Sequence, residues 1–238
     1  MKHFLAIFKK EILSYFNSPL AYIFTAIFLV TGNWLFFQNF FLMNQASVRS
    51  YFDLLPWIFL FITPALTMRL WAEEKKSGTM EVLLTFPVRD IVVVLAKYVS
   101  SLVFLMLVLL LSLSLPITVA CLGNLDWGLV IGGYVGAVLL GGLYLAMGLF
   151  ISSLTKNQIV ALLLTAVSCF LLFIISSSFV LQSMGFLAPV FRIAGAADHF
   201  YNMARGVIDT RDLIYFISII SLFIYLNNQS LNSRNWKA

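Results

Sequence analysis

Charge is what this sequence has least of. Only 11% of its 238 residues are Asp, Glu, Lys or Arg, 61% are hydrophobic, and mean hydropathy is +0.98. A soluble surface needs about twice that share of charge, so a soluble globular domain is excluded. There are only two cysteines, Cys121 at the end of one apolar run and Cys169 inside another, which is no basis for a disulfide framework. Histidine is as rare: His3 and His199 lie far apart in the chain, so His199 beside Asp198 is not read as a metal ligand or a base. No GxxxxGK[ST] phosphate loop occurs, so the chain supplies no Walker-type ATPase of its own. The run Ser176-Ser177-Ser178 has no evident base, and serines in apolar helices usually bond backbone carbonyls or neighbouring helices.

What is present is a series of apolar runs. A membrane core roughly 30 Å thick takes about 17–25 helical residues, and we place spans at 20–40, 54–71, 91–120, 128–151, 158–181 and 213–227. The runs are continuous and do not alternate, so the expected fold is all-α, polytopic, with six transmembrane helices and both termini on one side. The first run follows a basic start, but it exceeds a signal core and no small-x-small site closes it, so it is kept as a span. The third is too long for one straight crossing, and Pro116 should end or kink it. With the N-terminus inside, eleven of the fifteen Lys and Arg residues fall on inner segments, and only Arg49, Arg192, Arg205 and Arg211 fall outside. That bias is a topology signal, so the net charge of +5 is not read as nucleic-acid binding. No ionisable residue occupies the centre of a span, and Arg69 and Lys97 sit near inner ends where they can snorkel. An ion-coupled pump is therefore disfavoured and a voltage sensor excluded.

Three segments stand out between or before the spans. Residues 1–16 place Phe4, Leu5, Phe8, Ile12, Tyr15 and Phe16 on one helical face and Lys2, Lys9 and Lys10 on the other. This is the pattern of an interfacial helix or, alternatively, of a solvated positive-inside tail. In the fourth span Gly132 and Gly136, and Gly133, Ala137 and Gly141, recur at spacings of four, which lets backbones approach within one subunit or between two. In the outer segment 182–212, Asp198 can cap a short helix that Gly206 ends, and Asp209 or Thr210 can cap the last span. Arg192, His199 and Arg205 belong to the same segment, which either covers an outer exit or packs as a lid on the bundle.

The most polar internal stretch is "WAEEKKSGTMEVLLTFPVRD", 71–90. Arg69 and Glu73 are four apart and can pair if the second span continues inward. Ser77 or Gly78 offers an N-cap, Glu81 falls in the first turn, and Pro87 stops a short helix. Met80, Leu83 and Leu84 form one stripe, and Val82 and Phe86 another. Two stripes suit either a helix held between the bundle and a partner or one resting on lipid.

These residues resemble a known family. The acidic pair, then "SGTMEVLLTFPV" and the return into the third span, is similar to the cytoplasmic signature of type-2 ATP-binding-cassette (ABC) exporter permeases. The N-terminal helix, six spans and long last outer loop match that plan over essentially the whole chain. The stretch "DHFYNMARGVIDTRDLIYF", 198–216, further resembles permeases associated with gliding motility and the related copper-enzyme maturation permeases. The resemblance implies a multi-pass protein of the bacterial inner membrane with cytoplasmic termini and no cofactor of its own. It implies ATP and Mg bound by two copies of a separate ABC ATPase, a second permease subunit, identical or homologous, and a possible periplasmic accessory protein. It makes 1–16, with Phe4, Phe8 and Ile12, the elbow helix and 78–86 the coupling helix. Contacts to the ATPase would come from Glu73, Glu74, Gly78, Thr79, Met80, Glu81, Leu83, Leu84, Phe86 and Pro87, and 182–212 would form outer re-entrant helices. Export of a substrate is the expected function; the alternative is an ATPase-driven scaffold that acts on a periplasmic partner without transport.

Overall fold

The computed structural model describes residues 2–43, 47–80, 88–177, 180–182, 185 and 188–232. Among these, all regular structure is helical: α1 (Lys2–Phe16), α2 (Pro19–Met43), α3 (Arg49–Ser77), α4 (Asp90–Leu111), α5 (Ser114–Leu122), α6 (Trp127–Leu154), α7 (Gln158–Ile174), α8 (Ala188–Ala194), α9 (Ala196–Ala204) and α10 (Thr210–Asn232). Five stretches are long and apolar enough to cross a membrane: Pro19–Gln38, Arg49–Ser77, Asp90–Leu122, Trp127–Leu154 and Thr210–Asn232. This is a multi-pass membrane protein. The helix α7 is apolar but has only 17 residues, about 26 Å at 1.5 Å per residue.

The long helices run back and forth between two ends. One gathers α1, the last turns of α3, α6 and α10 and the first turns of α4 and α7; we call it the basic end. The opposite end carries α5, α8 and α9. At the centre α3 and α6 are mostly buried, whereas only a small share of α2 and α10 is.

Glycine decides how α6 packs. A side chain at Gly132 would put its Cβ 2.5 Å from the Met203 carbonyl oxygen and 2.9 Å from Gly206 Cα. Gly136 lies under Met203 and Phe200, Gly133 under the Phe52 ring, and Gly141 against Leu105 and Phe59. Close approach therefore joins α6 to α9, α3 and α4 within one chain.

Some boundaries follow the sequence expectation, at Pro116, Gly206 and Asp209, and others differ. The third run breaks after Leu111, because Pro116 has no amide for the Ser112 carbonyl and its ring crowds that carbonyl. Ser112 accepts instead from the Leu115 amide at 3.1 Å, and α5 starts anew. The fifth helix stops at Ile174, seven residues short of 181; Ser176 lies against Gly195, at the joint of α8 and α9, in a turn where any Cβ would collide. Asp198 does not cap α9: Gly195 holds that position, and Asp198 sits in the first turn paired with Arg192 at 3.2 Å. Gly206 leaves α9 with φ +85°, and Asp209 caps α10 by accepting the Arg211 amide at 2.9 Å. Arg205, with Arg49, Asp53 and Tyr201, lines a cavity of about 240 Å³ between α3 and α9.

Candidate coupling site at the basic end

The helix α3 does not stop at the end of its apolar run. It continues through Trp71, Ala72, Glu73 and Glu74 to Ser77, because nothing in that stretch breaks a helix before Gly78. There the chain turns in the left-handed region, φ +73°, which glycine adopts without penalty. Gly78 is thus the C-cap of α3, and because helix resumes at once with Thr79 and Met80, it also stands at the position where an N-cap was expected. The Ser77 hydroxyl donates back to the Glu73 carbonyl at 2.9 Å and contacts the Thr79 hydroxyl at 2.9 Å. Thr79 is exposed and Met80 buried. Glu81, Leu83, Leu84, Phe86 and Pro87 lie outside the described residues.

This projecting end of α3 is held from three sides. On the first, the Ser152 hydroxyl of α6 accepts the Trp71 and Ala72 amides, both at 3.2 Å, and donates to the Met68 carbonyl at 3.1 Å. Lys75 Nζ donates to the Ser153 carbonyl. On the second, Lys97 reaches in from α4. Its ammonium donates to Leu70 O at 3.0 Å, Glu74 Oε1 at 2.9 Å and Glu11 Oε1 at 2.9 Å, and it lies 4.8 Å from the Trp71 ring centre. An ammonium has three protons, and here each has an acceptor. On the third side α1 supplies Glu11, and its Lys10 meets Glu74 at 3.3 Å.

Lys97 is only 1% exposed, so it does not snorkel as its position suggested. The carboxylates of α1 and α3 come to it, because a buried ammonium without partners costs several kcal/mol, on the order of 3–5. Arg69 does not pair with Glu73. Its guanidinium lies 5.1 Å over the Tyr15 ring and donates to Ser18 Oγ at 2.7 Å, so it joins α3 to the α1–α2 turn. Burial raises the Tyr15 hydroxyl well above the usual phenol range; Arg69 works against that shift and Glu11 adds to it. The hydroxyl stays protonated and donates to the Leu66 carbonyl at 3.4 Å.

Between these groups lies a cavity of about 260 Å³ lined by Lys10, Glu11, Arg69, Glu73, Glu74 and Lys97. Of the acidic pair, Glu74 faces the buried lysine while Glu73 is exposed. Phe4, Phe8 and Ile12 of α1 are each half-buried, and the fully covered residues of that helix are Glu11 and Tyr15. The helical wheel placed the apolar face slightly to one side, leaving Leu5 and Phe16 exposed.

A family described as ABC-2 family transporter protein matches residues 5–238. The chain belongs to the ABC-2 transporter family. No curated protein matches it. Membership makes this ABC-2 protein a membrane component of a transporter, of a kind that generally works with a separate ABC ATPase. Sequence reasoning missed Glu11, Lys97, Ser152 and Ser153 in this ABC-2 site. The available signal was two charges of opposite sign, Glu11 as the acidic residue of the amphipathic helix and Lys97 in an apolar run, each unexplained singly.

Proposed function

We propose that the chain is the permease subunit of a type-2 ABC exporter, with six spans, cytoplasmic termini at the basic end and residues 78–86 as the coupling helix. The observation that carries this is the clamped end of α3. A segment that begins at Gly78 leaves a helix bonded to α1, α4 and α6, so a push on it moves those helices together. ATP binding closes two ATPase subunits, displaces two coupling helices, and tilts two such bundles to open a path outward. The energy available to the shift is the difference in ATP affinity between the open and closed ATPase. A paired arrangement with a second permease, location in the bacterial inner membrane, and the branch related to gliding motility and copper-enzyme maturation belong to the same reading.

The test is purification of the tagged protein from its native membrane, with mass spectrometry for a Walker-motif ATPase near one-to-one. Leu84→Asp should reduce recovered ATPase by about 10- to 100-fold, the loss of one buried leucine worth roughly 1.5–3 kcal/mol. Gly78→Pro should act likewise, because proline cannot take a positive φ. Unchanged ATPase recovery and transport in both variants would reject the coupling assignment.

A further inference from the structure

The stretch 198–216 folds around His199. Nδ1 of its imidazole lies 2.6 Å from Asp212 Oδ1 on α10, and Nε2 lies 3.2 Å from the Ile193 carbonyl at the end of α8. An ionised carboxylate and a carbonyl only accept hydrogen bonds. A neutral imidazole has one N–H and can serve one of them, so with Asp212 ionised both contacts are hydrogen bonds only when both ring nitrogens carry a proton. The pair is enclosed: the His199 side chain is 16% exposed and that of Asp212 4%. The Tyr215 ring stacks on the imidazole at 4.0 Å, and its hydroxyl donates to the Ala194 carbonyl at 2.6 Å. His199 and Tyr215 thereby hold the last two carbonyls of α8, which have no helical amide to bond.

The neighbouring charges are engaged elsewhere or lie apart. Arg192 of α8 pairs with Asp198 of α9. On α10, Asp209 accepts the Arg211 backbone amide, and the Arg211 side chain is exposed. Arg205, Tyr201, and Arg49 and Asp53 of α3 surround a separate cavity. Neither α6 nor α7 has a charged residue, and their Tyr134, Tyr144 and Cys169 are neutral in ordinary conditions. Among the described residues no Lys or Arg pairs with Asp212, so the His199 ring, when it carries both protons, is the counter-charge within reach.

We propose that His199, Asp212 and the Ile193 carbonyl form an outward-facing proton-binding latch that fastens α8 and α9 to the first turn of α10. The closed latch binds one proton more than the open one, so acid favours closure. Loss of that proton turns the Nε2 lone pair toward the Ile193 carbonyl, and that bond is lost. The pH of the outer compartment then sets how firmly the cover of the bundle is held. Only the outward address rests on the topology proposed above; the latch itself does not.

The intact protein in nanodiscs provides the test, with His3→Gln leaving His199 as the single histidine. ¹⁵N NMR should show both ring nitrogens protonated at about pH 5.5 and one at about pH 8.5. Hydrogen-exchange protection of 188–204, corrected for intrinsic rates, should fall at least about fivefold over that interval. His199→Gln and Asp212→Asn should show low protection at both pH values. Tyr215→Phe should lower protection at both and keep the step. A neutral imidazole at about pH 5.5, or equal protection at both pH values in the unsubstituted protein, overturns the latch. In proteoliposomes with pH changed on one side at a time, a response to the inner side alone overturns the outward address and the topology, and is distinct from failure of the latch.

Discussion

Lys97 shows how one residue organises the basic end. Its ammonium is buried among Glu11, Glu74, Leu70 O and the Trp71 ring, and removing it leaves two largely enclosed carboxylates whose remaining ion-pair partner, among the described residues, is the exposed Lys10. We expect Lys97→Met to destabilise the protein by about 3–5 kcal/mol, the cost of breaking rather than replacing a buried ion cluster. Adding Glu11→Gln and Glu74→Gln to that variant should recover most of the loss. Denaturant unfolding in detergent gives the comparison, and a mild effect of the single substitution would mean that water reaches the cluster.

At the scale of elements, α6 is the post against which the others are set. Its glycines give the facing residues room, and they differ in what they face. Gly132 meets backbone atoms of Met203 and Gly206, which cannot move aside, whereas Gly128 meets only the Asp126 side chain at 3.1 Å. Gly132→Val should cost about 1–3 kcal/mol by overpacking and loosen α9, while Gly128→Ala should stay within about 0.5 kcal/mol. Thermal unfolding of both variants measures the contrast; equal effects would show that the α6–α9 contact is not rigid. The spacing of these glycines was visible in the sequence, but the partner helix was not, because spacing specifies a face and says nothing of what covers it.

For the whole molecule, the alternation of helices between two ends gives a topology open to direct labelling. Lys76 and Asn124 are exposed at opposite ends. In a Cys121→Ser background, Asn124→Cys should react with a membrane-impermeant maleimide added to spheroplasts. Lys76→Cys should react only after permeabilisation. The reverse pattern would invert the orientation argued from the Lys and Arg distribution, and with it the side on which an ATPase docks.

Composition and run length alone determined that the chain is a bundle of membrane helices, since a helix is the way a continuous apolar run satisfies its backbone in lipid. The continuation of α3 past its apolar run, the end of α9 at Gly206 and the cap at Asp209 were likewise legible, because each depends on residues next to one another in the chain. Only the tertiary structure decided that Glu11, Glu74 and Lys97 form one cluster. The same holds for Ser152, which locks α3 to α6, and for His199 and Asp212. Those partners lie 13 to 86 residues apart, and a lone charge in an apolar segment does not name the charge it meets. What brings them together is the cost of leaving any of them buried and unpaired.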